Sequence, residues 1–182
     1  MLFCKELNSI ELDNNGILTR IIRKKSNLLK DEIYLSQFEI IGKDTYTRRF
    51  IHKSLDRTSE ELTKRFKTDR NIRLTGAIEI DDDNNLVENL DTPSHFCVLP
   101  LVGSEKHIMP IYLNSPDFEP DSERESLILI GEDILIDKNV ISEGGINRLI
   151  LKESIALYDS IVSYLSINCY HKLYLLAKGL KK

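Results

Sequence analysis

Apolar and polar residues alternate along most of the chain up to residue 114, and a period of two is typical of β-strands with one buried face. Two later runs are more continuously apolar, which is typical of buried strands. The alternation predicts strands in residues 2–12, 17–25, 31–42, 45–55 and 70–81, and the denser runs predict strands in residues 95–102 and 107–114.

Polar clusters mark the turns between these strands. Asn15-Gly16 lies between the first two, and an Asn-Gly pair is a strong hairpin signal because both residues can adopt positive φ. Residues 42–44 and 81–85 predict two further turns. Between the fourth and fifth strands, residues 59–69 have a spacing that favours a short helix or an exposed arm.

The hydrophobic period changes near residue 146. From Ile146 onward, apolar residues recur at offsets of three and four, which predicts an amphipathic helix. Gly144-Gly145 would give this helix a flexible entry, and a second helical piece follows and ends at Gly179. We therefore predict one α+β domain, with a β-rich part (1–145) and a helical part (146–182) whose helices pack on one face of a mostly antiparallel, mixed sheet.

Composition narrows the class of protein. The chain has 182 residues, of which 41% are hydrophobic and 30% charged, as in an ordinary globular domain. The net charge of −4 argues against a general nucleic-acid binder. Three widely spaced cysteines predict reduced thiols, and no apolar run reaches the length of about 18 residues that spans a membrane. We expect a cytoplasmic protein without a membrane partner.

The sequence has few motifs typical of catalytic, phosphate-binding or metal sites. The chain has no glycine-rich phosphate loop, and its four histidines are scattered. Residues 81–83 are acidic, but a solvated turn explains them better than a cation site, so we predict no metal. Cys169 and His171 lie two residues apart, and two ligands do not make a metal site.

A basic stretch between residues 48 and 73 has two interpretations. Basic side chains with interleaved phenylalanines can stack on and neutralise nucleic acid, whereas alternating strand residues would simply point toward solvent. The candidate nucleic-acid contacts of this stretch are Arg48, Arg49, Lys64 and Arg65.

Residues 117–125 form an acidic stretch that contains one arginine, Arg124. Their oxygen ligands alternate as in an EF-hand loop, but Ser122 stands where that loop needs glycine and Ile128 where it needs glutamate. The apolar flanks exclude a linker, so we predict an ordered loop with a helix start at residues 120–124, capped by Asp121 or Ser122. In that geometry Arg124 either clamps a phosphate or pairs with neighbouring carboxylates.

Four segments, in this order, resemble one family. They read MLFCKELNSIEL, FCVLPL, IMPIYLNSPDFEPDSERESL and INRLILKESIALYDSIVSYL. Together they are similar to the region that follows the ATP-binding domain in sacsin-type, heat-shock-ninety-like ATPases of the GHKL superfamily, including bacterial ones. The chain departs from the eukaryotic sacsin repeats in having one arginine, not two, after the Asn114 strand and no tryptophan.

The resemblance implies an α+β middle or transducer domain that sends one basic residue to the γ-phosphate. Here that residue would be Arg124, with Asn114 and Ser122 positioning its loop. ATP and Mg²⁺ would be held by an N-terminal ATP-binding domain, because the family's Asp-x-Gly-x-Gly loop does not occur in this chain. The chain alone is thus expected to bind no cofactor, and its partners would be that domain and a client protein or a second copy. The alternative is a stand-alone interaction domain that binds nucleic acid through the basic stretch.

Overall fold

A computed structural model describes residues 2–3, 6–58, 71–88, 92–106, 110–135 and 140–180. Five strands form an antiparallel meander in which each pairs with the next along the chain. They are β1 (Ser9–Asn14), β2 (Ile17–Lys30), β3 (Ile33–Ile41), β4 (Thr45–Thr58) and β5 (Asn71–Ile80). Each of the five alternating segments therefore contains a strand, although the first begins at Ser9 and not at residue 2.

The turn between β1 and β2 has the predicted chemistry. Asn15 and Gly16 both adopt positive φ, 52° and 82°, as a tight hairpin requires. The Asp13 carboxylate accepts a hydrogen bond from the Gly16 amide at 2.8 Å, which further fixes the turn.

Three short strands extend the sheet beyond β5. They are β6 (His95–Cys97), β7 (Leu99–Pro100) and β8 (Tyr112–Asn114). β8 pairs antiparallel with β5, and β6 lies parallel to β8, so the strand order is β1-β2-β3-β4-β5-β8-β6-β7. A separate pair joins β9 (Ile134–Leu135) to β10 (Val140–Ile141). The predicted mixed and mostly antiparallel sheet is thus confirmed.

One helix covers one face of this sheet. α1 (Glu143–Ile167) begins three residues before the predicted start, and Ser142 caps it by accepting a hydrogen bond from the Gly145 amide at 2.9 Å. The second predicted helical piece is a 3-10 helix, Leu173–Leu180. Residues 59–69 lie outside the described residues. In the described part of the chain, no helix combines the length and apolar composition needed to cross a membrane.

The sheet has two different faces. The face against α1 carries the larger buried cluster, which joins strand residues such as Ile51 and Leu74 to Ile150 and Ile161 of the helix. The opposite face carries a smaller, aromatic cluster centred on Phe38 and Phe50. Two register shifts in the long β2–β3 pairing add local twist to the sheet.

Gly144 and Gly145 have a different role from the predicted one. Both lie in the first turn of α1, and a Cβ on either would lie 2.6 Å from a backbone oxygen, that of Ile130 or Asp133 respectively. The two glycines are therefore needed for close packing of the helix start against residues 130–133, and they do not act as a flexible entry.

We expect Gly144→Ala to destabilise the protein by about 2 kcal/mol, because the added methyl carbon would clash with the backbone oxygen of Ile130, and moving the backbone costs free energy. In an ordinary helix the same change would stabilise by about 1 kcal/mol. Urea unfolding would measure the free energy, with Ser163→Ala on the exposed face of α1 as the matched control. Stabilisation by both substitutions would contradict the close-packing role.

Candidate functional site

The loop that carries Arg124 comprises residues 115–131, and we call it the Arg124 loop. It follows β8 and packs against β6 and the first turn of α1. Ser115 N donates to Phe96 O at 3.0 Å, and the buried Phe118 side chain joins the larger core cluster. The loop is therefore an ordered part of the domain, as its apolar flanks predict.

The predicted helix start at residues 120–124 is wrong, because Asp121 closes a compact turn. Its carboxylate accepts hydrogen bonds from Glu125 N at 2.9 Å, Ser126 N at 3.1 Å and Ser126 Oγ at 2.6 Å. Asp121 N in turn donates to Ser126 O at 2.9 Å. These bonds give the backbone an alternative to a helix, and Arg124 has a φ of 56°, outside the right-handed helical region.

The Arg124 side chain contacts the neighbouring strand. Its Nη2 donates to Cys97 O at 3.0 Å, and the residue is half-buried. Among the described residues, this bond takes the place of the predicted alternative, an ion pair with nearby carboxylates. A positive φ at a residue other than glycine stores strain that the surrounding contacts must hold.

Asn147, the fifth residue of α1, fastens the loop to the helix. The residue is fully buried, its Oδ1 accepts from Glu119 N at 2.8 Å, and its Nδ2 donates to Glu119 O at 2.7 Å and Ile128 O at 2.9 Å. One amide therefore joins both arms of the loop. Sequence reasoning did not assign this role, and the available signal was an asparagine inside an amphipathic helix at a buried position.

Arg148 holds the exposed side of the same loop. It forms an ion pair with Asp133, with 2.7 Å between Nη2 and Oδ1, and also donates to the backbone oxygens of Leu129 and Gly131. The adjacent residues Asn147 and Arg148, near the start of α1, thus fix the loop from two sides.

A buried carboxylate, that of Asp117, anchors the start of the loop. Asp117 accepts from Arg73 N at 2.9 Å and from Arg73 Nη2 at 2.9 Å, which ties the loop to β5. This hydrogen bond to Asp117 is the main reason why the pKa of Arg73 is raised. Cys97 Sγ also donates to Phe118 O at 3.2 Å.

Of the two predicted loop-positioning residues, Asn114 is buried and Ser122 is exposed. Asn114 Oδ1 accepts from Val98 N at 3.1 Å, so its side chain supports the turn between β6 and β7. Val98 has a φ of 65°, an unfavourable value for a β-branched residue. Ser122 lies in the tip of the Asp121 turn.

The structure does not bring Arg48 and Arg49 together. Arg48 lies on the face opposite α1, donates from Nε to Glu79 at 2.7 Å, and stacks over the Phe50 ring at 5.1 Å. The bond to Glu79 is the main cause of the raised pKa of Arg48. Arg49 points to the other face and donates to Asp81 O at 2.8 Å.

The two remaining basic candidates, Lys64 and Arg65, lie outside the described residues, so nucleic-acid binding by the basic stretch stays a prediction. Among the residues that the structure describes, no three His, Cys, Asp or Glu side chains are grouped as metal ligands would be. Asp81 instead closes its turn by accepting from Asp83 N and Asn85 N.

We expect Asn147→Ala to lower the free energy of unfolding by about 3 kcal/mol, because the change removes three hydrogen bonds between the buried amide and the partly buried backbone groups of Glu119 and Ile128. Urea unfolding would measure the loss, and amide exchange would report opening of the Arg124 loop. Asn27→Ala, at an exposed strand position, is the control and should change stability by less than about 0.5 kcal/mol. Equal losses of stability in the two variants would argue against a role of Asn147 in fastening the loop to α1.

The Asp121 turn should also respond to pH. Its hydrogen bonds, above all that from the Ser126 hydroxyl, hold the pKa of Asp121 below its ordinary value. The stabilisation is therefore present above the ordinary aspartate pKa of about 4 and is lost as the pH falls through the lowered value. In a carboxyl NMR titration, Ser126→Ala should move the midpoint of Asp121 upward, whereas Ser122→Ala in the same turn should not.

No protein-family model matches this chain, and no curated protein or solved structure is significantly similar to it.

Proposed function

We propose that this chain is a coupling module of a sacsin-like, heat-shock-ninety-like ATPase or chaperone, and that Arg124 senses the γ-phosphate of ATP. The nucleotide and its Mg²⁺ would be held by a separate ATP-binding domain. The module would then transmit the state of the nucleotide to a bound client or partner protein.

The observation that carries the proposal is that the four segments of the sequence resemblance contact one another in succession, and that the last three meet at the Arg124 loop. Phe3 packs on Phe96 with 5.1 Å between the ring centroids, and Arg124 donates to Cys97 O. Asn147 binds Glu119, which links the helix start to the loop. Segments that are far apart in the sequence thus form one connected structure.

The chemistry of Arg124 suits a phosphate sensor. A guanidinium stays charged at any physiological pH and offers five donors in a planar fork. One nitrogen of Arg124 bonds Cys97 O, and the half-buried fork lies on a loop that Asn147, Asp117 and Asp121 hold in place. A cation on such an ordered loop can stabilise charge that develops on a phosphoryl group.

The contacts of Arg124 also suggest how a signal would leave the site. The hydrogen bond to Cys97 O and the one from Val98 N to Asn114 Oδ1 both hold the peptide group that joins Cys97 to the strained Val98. If Arg124 moves to a phosphate, one of these two restraints is lost and the strain at Val98 can relax. Val98 and Leu99 are exposed apolar residues, so the change would reach a surface that can contact a partner.

We expect Arg124→Ala to lower ATP turnover at least tenfold and to leave nucleotide affinity nearly unchanged, because the ATP-binding domain supplies most of the ground-state contacts. Turnover would be measured with the ATP-binding domain present, on the same polypeptide or as an added subunit. Arg124→Lys keeps the charge but removes the fork and should give an intermediate rate.

The matched control is Arg20→Ala, since Arg20 is an exposed arginine that pairs with Glu11 on the far strands of the sheet. Its turnover should equal that of the unaltered protein. Full turnover in Arg124→Ala would remove the sensor role.

A further inference from the structure

The sheet face opposite α1 carries two adjoining cavities, which together we call the open-face groove. One has a volume of about 720 Å³ and the other about 750 Å³, and Leu2 and Phe3 line both of them. Each volume is within the range of about 300–1,000 Å³ that is usual for ligand sites. The two cavities are therefore halves of one groove, with residues 2–3 between them.

The first half, the aromatic cavity, has a floor of packed rings. Phe96 lies 6.4 Å from Tyr112 between centroids, and Tyr112 lies 6.0 Å from Phe50. Val98 and Leu99 form its rim and are 68% and 63% exposed. Exposed aliphatic residues beside a ring-lined cavity are typical of a site that receives an apolar side chain.

The second half, the hydroxyl cavity, is lined by four serine and threonine side chains, by three charged residues and by several apolar and aromatic ones. Ser36 Oγ lies 2.8 Å from His52 Nε2 and donates to Ser26 Oγ at 3.0 Å. Ser54 Oγ and Thr75 Oγ1 lie 2.9 Å apart. Hydroxyl groups can both donate and accept hydrogen bonds, so this surface suits the amides of an extended backbone.

The packing of Leu2 and Phe3 indicates which residues the groove can bind. The Phe3 ring packs on Phe96 at 5.1 Å between centroids, and Leu2 also contacts the aromatic cluster, yet both residues remain only partly buried. An aliphatic residue followed by an aromatic one thus fits the aromatic cavity without filling the groove. A longer extended segment would bury more of the same surface.

We infer that the open-face groove binds an extended peptide segment of a partner protein, with an aliphatic–aromatic pair in the aromatic cavity and polar residues along the hydroxyl cavity. Residues 2–3 of this chain compete for the same place. The groove does not require Arg124 to reach a phosphate, so peptide binding can be tested without nucleotide and can succeed or fail independently of the proposed function.

A labelled synthetic peptide that copies residues 1–7, with serine in place of the cysteine, is a suitable probe for fluorescence anisotropy. We expect Phe3→Ala to bind it at least fivefold more tightly than the unaltered protein, because the internal ring no longer occupies the cavity. A second peptide with serine in place of the leucine–phenylalanine pair should not bind.

Leu99→Ser, a substitution at the rim of the aromatic cavity, should weaken the peptide complex at least threefold in the Phe3→Ala background. Because Leu99 is exposed, the change should have little effect on the stability of the fold. The control is Ile155→Ser, an equally exposed aliphatic residue on α1, which should leave binding unchanged. Thermal unfolding would verify that each variant is folded.

Three outcomes would overturn the inference. These are no binding of the peptide to Phe3→Ala at millimolar concentration, equal losses in Leu99→Ser and Ile155→Ser, and binding of a small aromatic compound such as indole in place of the peptide. The last outcome would identify the groove as a small-molecule site.

Discussion

The arrangement of the Arg124 loop depends on the burial of one amide side chain, that of Asn147. A polar group without access to water must find hydrogen-bond partners, and those of Asn147 are the backbone groups of Glu119 and Ile128. Asn147 therefore couples the N-terminal end of α1 to both arms of the loop. Gly144 and Gly145 make this contact possible, because any side chain there would separate the helix from residues 130–133.

Two residues near the Asn147 contacts have strained backbones that hydrogen bonds hold in place. Arg124 and Val98 both have positive φ values that glycine would tolerate more easily, and each is held by a hydrogen bond that crosses from one element to another. Strained residues persist only where neighbouring contacts fix them, and such places are frequently functional. The bond between Arg124 and Cys97 joins the two places, so a change at the arginine has a direct structural route to the Val98 turn.

The curled sheet separates two kinds of packing. On the face against α1, aliphatic strand residues interlock with the helix, and Gly76 lets Ile111 and Leu157 approach the strand backbone. On the other face, aromatic rings are partly covered by arginines, with Arg23 over Phe38 and Arg48 over Phe50. A face covered by long side chains rather than by a helix remains accessible, and the open-face groove lies there.

The sequence by itself determined the elements whose signals are local. Alternation identified the five meander strands, Asn15-Gly16 identified their first hairpin, and the 3.6-residue period identified α1. It did not determine the conformation of residues 120–124, where acids ahead of an arginine favour a helix start but side-chain bonds of Asp121 produce a turn. The Asp121 turn is made by bonds to residues four and five positions away. The role of Asn147 was decided only by the tertiary structure, because its partners lie 19 and 28 residues away in the chain. A local pattern carries no information about those partners, whereas burial in the folded domain requires each polar group to have one.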